Sequence, residues 1–320
     1  MSADLGTLVL EASPAEGTSW LGAFWARLRK KRLAMAALFV IAVVYLGGVF
    51  AALLAPYSYT DQNLEAKWEG PSAAHWLGTD IIGRDMLTRV LYSSRTNLVI
   101  TAAVILSGSI LIGNTLGLIT GYRGGWVDGL IMRVGDVFAG LPSLLMLILV
   151  NASLSPRVTE VVRAFESNVA DLGLISSGFA SYITVFAALS LFSWVGTARL
   201  IRSQVLQLRE RDFIMAAQAI GAPTRRILSR HILPNVAHLI ILQVSTGLGG
   251  IAGSEIFLSW FGVGVQPPAP SFGQMISDAG GVRTFAEHPH LLLVPAAVVT
   301  SLLFSFSLLG DAVTDAFRGR

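Results

Sequence analysis

Two carboxylates, Asp136 and Glu255, sit inside stretches otherwise apolar enough to lie in lipid. A charge at mid-helix in a bilayer costs about 2.5–3.5 kcal/mol on insertion scales, so such residues are candidates for a place on a translocation path. Arg133 stands three residues before Asp136 on the same helical face, and the expected partner is therefore intrahelical. Glu255 has no cation at helical spacing and needs a partner from another element or from water. Asp128 reads as interfacial. Gly140 and Pro142, close to Asp136, predict a kink, and a kinked helix is one that can rearrange. Other chemistries are closed. With no cysteine there is no disulfide, thiolate zinc site or cysteine nucleophile. None of the three lysines, Lys30, Lys31 and Lys67, follows a glycine. A Gly-Lys-Ser/Thr phosphate loop is thus absent, and the chain is not expected to hydrolyse ATP. His288-Pro289-His290 is too short and isolated for a metal site, and no metal or other cofactor is expected in this chain.

The elements that must hold these carboxylates follow from composition. The 320 residues are 53% apolar and 13% charged, with mean hydropathy +0.64. Soluble domains carry roughly 25% charged residues, because charge covers an exterior. This argues against a cytosolic enzyme and against a disordered or acidic interaction protein, and no nucleic acid is expected as a partner. Six stretches reach the length of about 20 apolar residues that a helical span needs: 33–55, 97–121, 126–152, 179–200, 237–260 and 291–311. The expected architecture is all-α, a polytopic membrane protein with six transmembrane helices. With the N-terminus inside, fifteen of the 23 basic residues fall on the inner side and seven on the outer. The positive-inside rule then makes both termini cytoplasmic, together with the long segment between spans four and five. The expected division is an N-terminal tail 1–32, a first anchor 33–55, an extracytoplasmic segment 56–96, a five-helix core 97–313 and a tail 314–320. Span one is too long for a cleavable signal.

Three smaller features are readable. Trp20, Leu21, Phe24, Trp25 and Leu28 share one helical face before a basic cluster, which predicts an amphipathic helix in the inner interface. Ser109, Gly113, Gly117 and Gly121 form a small-residue stripe that lets another helix approach closely. Between spans three and four, Ser155 as N-cap and Pro156 in the first turn predict a new helix. Val158, Val161, Val162, Phe165, Val169 and Leu172 would be its apolar positions, on the outer face.

The segment 201–236 is the most informative. The run from Arg209 to Pro223 reads as a short helix stopped at Gly221 and a restart at Pro223, and Pro234 reads as the end of a second helix. Ala216, Ala217 and Ala219 keep the first helix slim enough for close docking, so the segment reads as a socket element for a partner. Here the chain resembles the inner-membrane permeases of binding-protein-dependent ABC importers. Their signature is Glu-Ala-Ala, three residues, Gly, nine residues, then Ile-x-Leu-Pro. Ala216, Ala217, Gly221, Leu233 and Pro234 match at that spacing, while Met215 replaces the Glu and His231 the Ile. The runs from His75 to Asp80 and from Gly83 to Asp85, Gly121 to Trp126, Phe192-Ser193-Trp194 closing span four, Phe261 to Pro268, and Leu309-Gly310-Asp311 narrow the resemblance to the C-type subunit of dipeptide, oligopeptide and nickel importers. It covers nearly the whole chain except the first twenty or so residues and 153–178.

The resemblance implies a type I ABC importer permease fold in a prokaryotic plasma (inner) membrane, forming half a pore for di- or oligopeptides. It implies a homologous B-type permease, two cytoplasmic ATPase subunits that bind ATP and Mg, and an extracytoplasmic binding protein as partners, besides membrane lipid. Asp212, Met215, Ala216, Ala217, Gly221, Ala222, Leu233 and Pro234 would form the ATPase-coupling element, while Asp136, Pro142 and Glu255 are path candidates. The alternatives are the same role with nickel or another small solute, and an ion-gradient-driven secondary transporter using the two carboxylates. A secondary transporter often carries inverted repeats, which are not evident here, and it leaves 201–236 unexplained.

Overall fold

A computed structural model describes residues 20–169 and 173–318, with backbone alone for residues 20, 21, 23, 169 and 318. Lipid offers backbone amides no partner, so a spanning segment must satisfy them internally. Among the described residues all regular structure is helical. A short helix α1 (Trp20–Lys30) leads into α2 (Arg32–Val49). Helix α3 runs unbroken over Met86–Arg123, with a π-helical stretch at Ile105–Gly113. Then come α4 (Gly125–Gly140), α5 (Ser143–Val169), α6 (Phe179–Arg209), α7 (Asp212–Ala219), α8 (Thr224–Trp260), α9 (Phe272–Asp278), α10 (Val282–Glu287) and α11 (His290–Arg318). Six of these, α2, α3, α5, α6, α8 and α11, are long and apolar enough to cross a membrane. The apolar centre lies where α3, α6 and α8 meet, around Ile100, Val104, Val185, Leu189 and Leu258.

The small-residue stripe is the seam between α3 and α6. A Cβ added at Gly117 would lie 2.8 Å from the Ala198 carbonyl and from Ile201 Cβ, and one at Gly121 would lie 2.6 Å from Val205 Cβ. Ser109 Oγ is 2.7 Å from Thr197 Oγ1 on the same seam. Bulk here would force two whole helices apart.

The third apolar stretch departs from expectation. It is not one kinked span over 126–152 but two helices separated at Leu141, whose backbone is extended (φ −101°, ψ 149°). Pro142 explains the break: it lacks an N–H and disfavours helical geometry in the residue before it. The span is α5, and it also absorbs the predicted insert. Ser155 does not cap a new helix, and Pro156 lies inside the 27-residue α5. An interior proline deletes one backbone hydrogen bond, a cost that a long helix already nucleated upstream can carry. Within the insert Val162 is buried, whereas Val161 and Phe165 are exposed; Leu172 lies outside the described residues.

Helix α1 is present as predicted, but part of its apolar face packs against α11 rather than being free. Leu28 is buried with Ala34 and Ala312, and the rings of Phe24 and Phe317 are 5.0 Å apart. Lys31 Nζ meets Asp315 at 2.6 Å.

Residues 56–85 are bound over one end of the bundle by a largely buried ion cluster. The Asp80 carboxylate accepts from the backbone N–H groups of Ile82 and Arg84, from Arg84 Nε at 2.6 Å and from Arg89 Nη1 at 2.7 Å. Both arginines also reach Asp278 at the end of α9. Asp85 caps α3 through the Thr88 N–H and holds His75 Nδ1 at 3.0 Å. This gives the His75–Asp85 motif a structural role: it fastens the segment across the start of α3.

Two outcomes follow. Gly117→Leu lowers the thermal unfolding temperature of the purified protein by several degrees, for an overpacking cost of about 1–3 kcal/mol. Gly129→Ala, where an added Cβ meets nothing within 4 Å inside α4, does not lower it, since alanine is the better helix former. The second outcome concerns pH. Burial alone would push the Asp80 carboxyl up, but Arg89, Arg84 and the two backbone N–H groups hold it below the usual carboxylate range. A depressed folded value contributes stability that is complete above the unfolded value, about 3.9, and is lost as pH falls toward the folded one. The protection factors of the 78–85 amides, exchange corrected for its intrinsic pH dependence, should therefore be steady from neutral pH to about pH 5 and fall in more acid solution. With Asp80→Asn the acid-induced loss of protection largely disappears, because protection is already low at neutral pH.

Candidate functional site

At the end of the bundle opposite residues 56–85, the chain turns from α6 to α8 through α7. Helix α6 runs to Arg209, well past the expected end at residue 200. The first nine residues of 201–236 are therefore helix rather than loop, and Phe192-Ser193-Trp194 lies mid-helix. At about 1.5 Å per residue, 31 residues reach roughly 46 Å, more than a hydrocarbon core of about 30 Å.

Helix α7 is anchored by Ile214 and Ala217, which are buried with Ile201, Val205, Ile227, Ile232 and Val236. Ala217 therefore faces its own chain, contrary to the expectation that it belongs to a docking surface. A helix held on one side by residues three apart leaves the opposite side free. That free side carries Asp212, Phe213, Met215, Ala216 and Ala219, followed by Ile220, 84% exposed. Phe213 and Ile220 were not singled out from sequence; an apolar residue beside the glycine that ends a helix was the available signal. Asp212 stands in the first turn, where a carboxylate suits the positive end of the helix dipole.

Gly221 ends α7 at φ +79°. Its N–H donates to the Gln218 carbonyl at 2.9 Å, and the N–H of Ala222 to the Ala217 carbonyl at 3.0 Å. Pro223 then precedes α8 at its first residue. Pro234 does not end a second helix, as sequence suggested: α8 passes through it, with a π-helical turn over Ile227–Ile232 directly before it. A π turn shifts the hydrogen-bond register, which accommodates a residue with no N–H to give. Leu233 and Pro234 are both exposed. Gln218 Nε2 reaches Tyr122 Oη at 3.2 Å, and Arg209 Nη1 donates to the Tyr122 carbonyl, so the elbow is tied to the end of α3. Arg225, Arg226 and Arg230 line one cleft beside Pro223 and give this face a positive field.

The membrane carboxylates are held differently from expectation. Asp136 pairs with Arg199 of α6 at 2.6 Å, not with Arg133. Its neighbour Asp128 makes a two-pronged contact with Arg202. Arg199 and Arg202 lie three apart on one face of α6, and they fasten α4 along it. Both members of the Asp136 pair remain substantially exposed, and Pro142 sits at the break where α4 gives way to α5. Glu255, by contrast, is fully buried. Its carboxylate accepts from Asn97 Nδ2 at 2.6 Å and from Ser259 Oγ at 2.9 Å. Asn97 Oδ1 in turn accepts from Tyr45 Oη at 3.0 Å, and Ser259 Oγ from the Val265 N–H. This chain links α2, α3, α8 and the turn after α8, and in this conformation Glu255 faces no open path.

Residues 113–320 match the family described as binding-protein-dependent transport system inner membrane component. Residues 19–71 match the N-terminal TM domain of oligopeptide transport permease C. The chain is 35% identical over 292 residues to the dipeptide transport system permease protein DppC of Bacillus subtilis, covering 91% of this chain and 83% of that protein. It is likewise 35% identical to the oligopeptide transport system permease protein OppC of the same organism, over 91% of this chain and 86% of the relative. A glutathione transport system permease protein, GsiD of Pectobacterium atrosepticum, is 34% identical over 98% of this chain and 95% of its own length.

The Gly221 turn makes a backbone-specific expectation. A side chain that resists φ > 0 costs about 1–2 kcal/mol there, whereas asparagine tolerates it. Added bulk meets no atom within 4 Å, so steric clash does not confuse the result. In the purified protein, Gly221→Val should speed amide exchange at Ile220 and Ala222 by about tenfold, and Gly221→Asn by much less.

Proposed function

The chain belongs to the family of binding-protein-dependent transport system inner membrane components, and from that premise we propose that it is the C-type permease half of an ATP-driven importer of short peptides. It is a multi-pass inner-membrane protein. The peptide class is supported by its likeness, over nine-tenths of its length, to permeases named for dipeptides and oligopeptides. In this reading both termini and α7 face the cytoplasm, as the placement of Lys and Arg favours. A homologous B-type permease completes the pore, and an extracytoplasmic binding protein delivers the peptide. Two separate ATPase subunits hold ATP and Mg.

The observation that carries the coupling role is the geometry of α7. One face is locked to α6 and α8 through Ile214 and Ala217, while the other presents Phe213, Met215, Ala216 and Ile220 to solvent. A protein rarely leaves such an apolar strip open unless something covers it. Movement of an ATPase surface against that strip is passed through a packed core rather than a flexible loop. Ala222 stiffens the turn through its hydrogen bond to Ala217, and Leu233 and Pro234 are exposed on α8 beyond it. Within the membrane, α4 and α5 can move against each other at Leu141-Pro142, with the exposed Asp136–Arg199 pair beside the break. These are the proposed moving parts of the path, whereas Glu255 is a fastener.

The test is co-expression with the permease, ATPases and binding protein of the neighbouring reading frames. Ile220→Asp and Met215→Asp should reduce recovered ATPase subunit and dipeptide uptake at least tenfold while leaving thermal stability unchanged, since both side chains are exposed. Wild-type uptake in both variants would reject the coupling role. If no ATPase subunit accompanies the unaltered chain, the whole reading fails.

A further inference from the structure

At the end of the bundle opposite α7, a cleft of about 320 Å³ opens between the start of α3, the start of α6 and the segment that follows α8. Tyr59, Tyr92 and Tyr182 wall it, with Phe179 and Pro270 at its sides and Arg95 on its rim. The Tyr59 and Tyr92 rings pack against each other at 4.7 Å. Tyr182 Oη is fixed by Thr96 Oγ1 at 2.6 Å, which orients its ring. Arg95 differs from the two arginines before it. Arg84 and Arg89 are consumed by Asp80 and Asp278, whereas the exposed Arg95 guanidinium makes no ion pair or hydrogen bond among the described residues. No carboxylate lines the cleft. The site thus offers one uncommitted, planar, permanently charged donor group beside three phenol rings.

From this arrangement we infer that the cleft is an entry subsite for the carboxylate end of the transported peptide. The inference rests on the peptide reading above and deepens it. A guanidinium binds a carboxylate through two parallel N–H donors, a geometry that a lysine cannot offer. Aromatic walls give the adjoining peptide plane and apolar side chain a surface with few polar demands. The volume is at the small end of the range of roughly 300–1,000 Å³ for ligand pockets, which suits a few residues rather than a folded partner. Arg95 captures the terminal charge, and the tyrosines hold what is next to it. The cleft therefore selects for a free C-terminus and is indifferent to the sequence beyond.

Phenylglyoxal labelling of Arg95, read by mass spectrometry in the complete transporter without its binding protein, tests this directly. Arg283, 91% exposed and, among the described residues, paired only along its own helix, is the internal control. Ala-Ala at high concentration should slow labelling of Arg95 several-fold and leave Arg283 unchanged, while Ala-Ala amide should protect neither. In uptake assays Arg95→Gln should raise KM for Ala-Ala several-fold at similar maximal rate, and Arg95→Lys should recover part of it. Equal labelling with and without Ala-Ala overturns the subsite, as does equal protection by the amide. Protection by the peptide-free binding protein also overturns it, assigning the cleft to docking. A transporter that takes up no peptide rejects the peptide reading itself; one that takes up Ala-Ala with Arg95 unprotected rejects only the subsite.

Discussion

A chain in lipid has nowhere to send an unpaired backbone amide, and this one constraint orders everything else in the protein. It forces the long rods α3, α6 and α8, and it allows irregular backbone only at their ends or where protein covers it. The constraint agrees with α5 continuing through Pro156. The exception is Leu141-Pro142, where α4 and α5 part company beside an exposed ion pair. Pro156 and Pro295 lie inside continuous helices, whereas the chain is interrupted at Leu141-Pro142.

Because lipid is as apolar as leucine, the rods are not held together by hydrophobicity alone. Three polar or close-packed fasteners take its place. The glycine stripe brings α3 onto α6, the Tyr45–Asn97–Glu255–Ser259 chain joins α2, α3 and α8, and the Asp80–Arg84–Arg89–Asp278 cluster binds residues 56–85 over one end. At the other end, α7 is fixed by one face only. The molecule is therefore stiff where helices must stay together and open where a partner can act on it.

The number of spans, the seam and the short helix before Gly221 were legible in sequence because each rests on a local pattern: a run of apolar residues, a four-residue repeat, a stop signal. What escaped depended on contacts distant in sequence. Asp136 chose Arg199, 63 residues away, over Arg133, because packing of α4 on α6 aligned two acids with two arginines. Ala217 turned inward because α7 needed an anchor, and nothing in an alanine-rich helix says which alanine provides it. Pro156 and Pro234 looked like boundaries since the rules for proline are drawn from helices surrounded by water, where a break can be solvated. The His75–Asp85 motif was visible as a resemblance, but its partner Asp278 lies almost 200 residues further on.

The central claim is that the free face of α7 meets a separate ATPase. The protein has no cysteine, so a single Met215→Cys substitution gives one defined attachment point. In the assembled transporter, a short bifunctional cross-linker from that position is predicted to join the chain to an ATPase subunit, with a yield that changes when ATP is bound. The same reagent at Trp76→Cys, at the opposite end of the bundle, should leave the ATPase untouched. Equal cross-linking from both positions, or none from Met215→Cys in a transporter that still takes up peptide, would contradict the account.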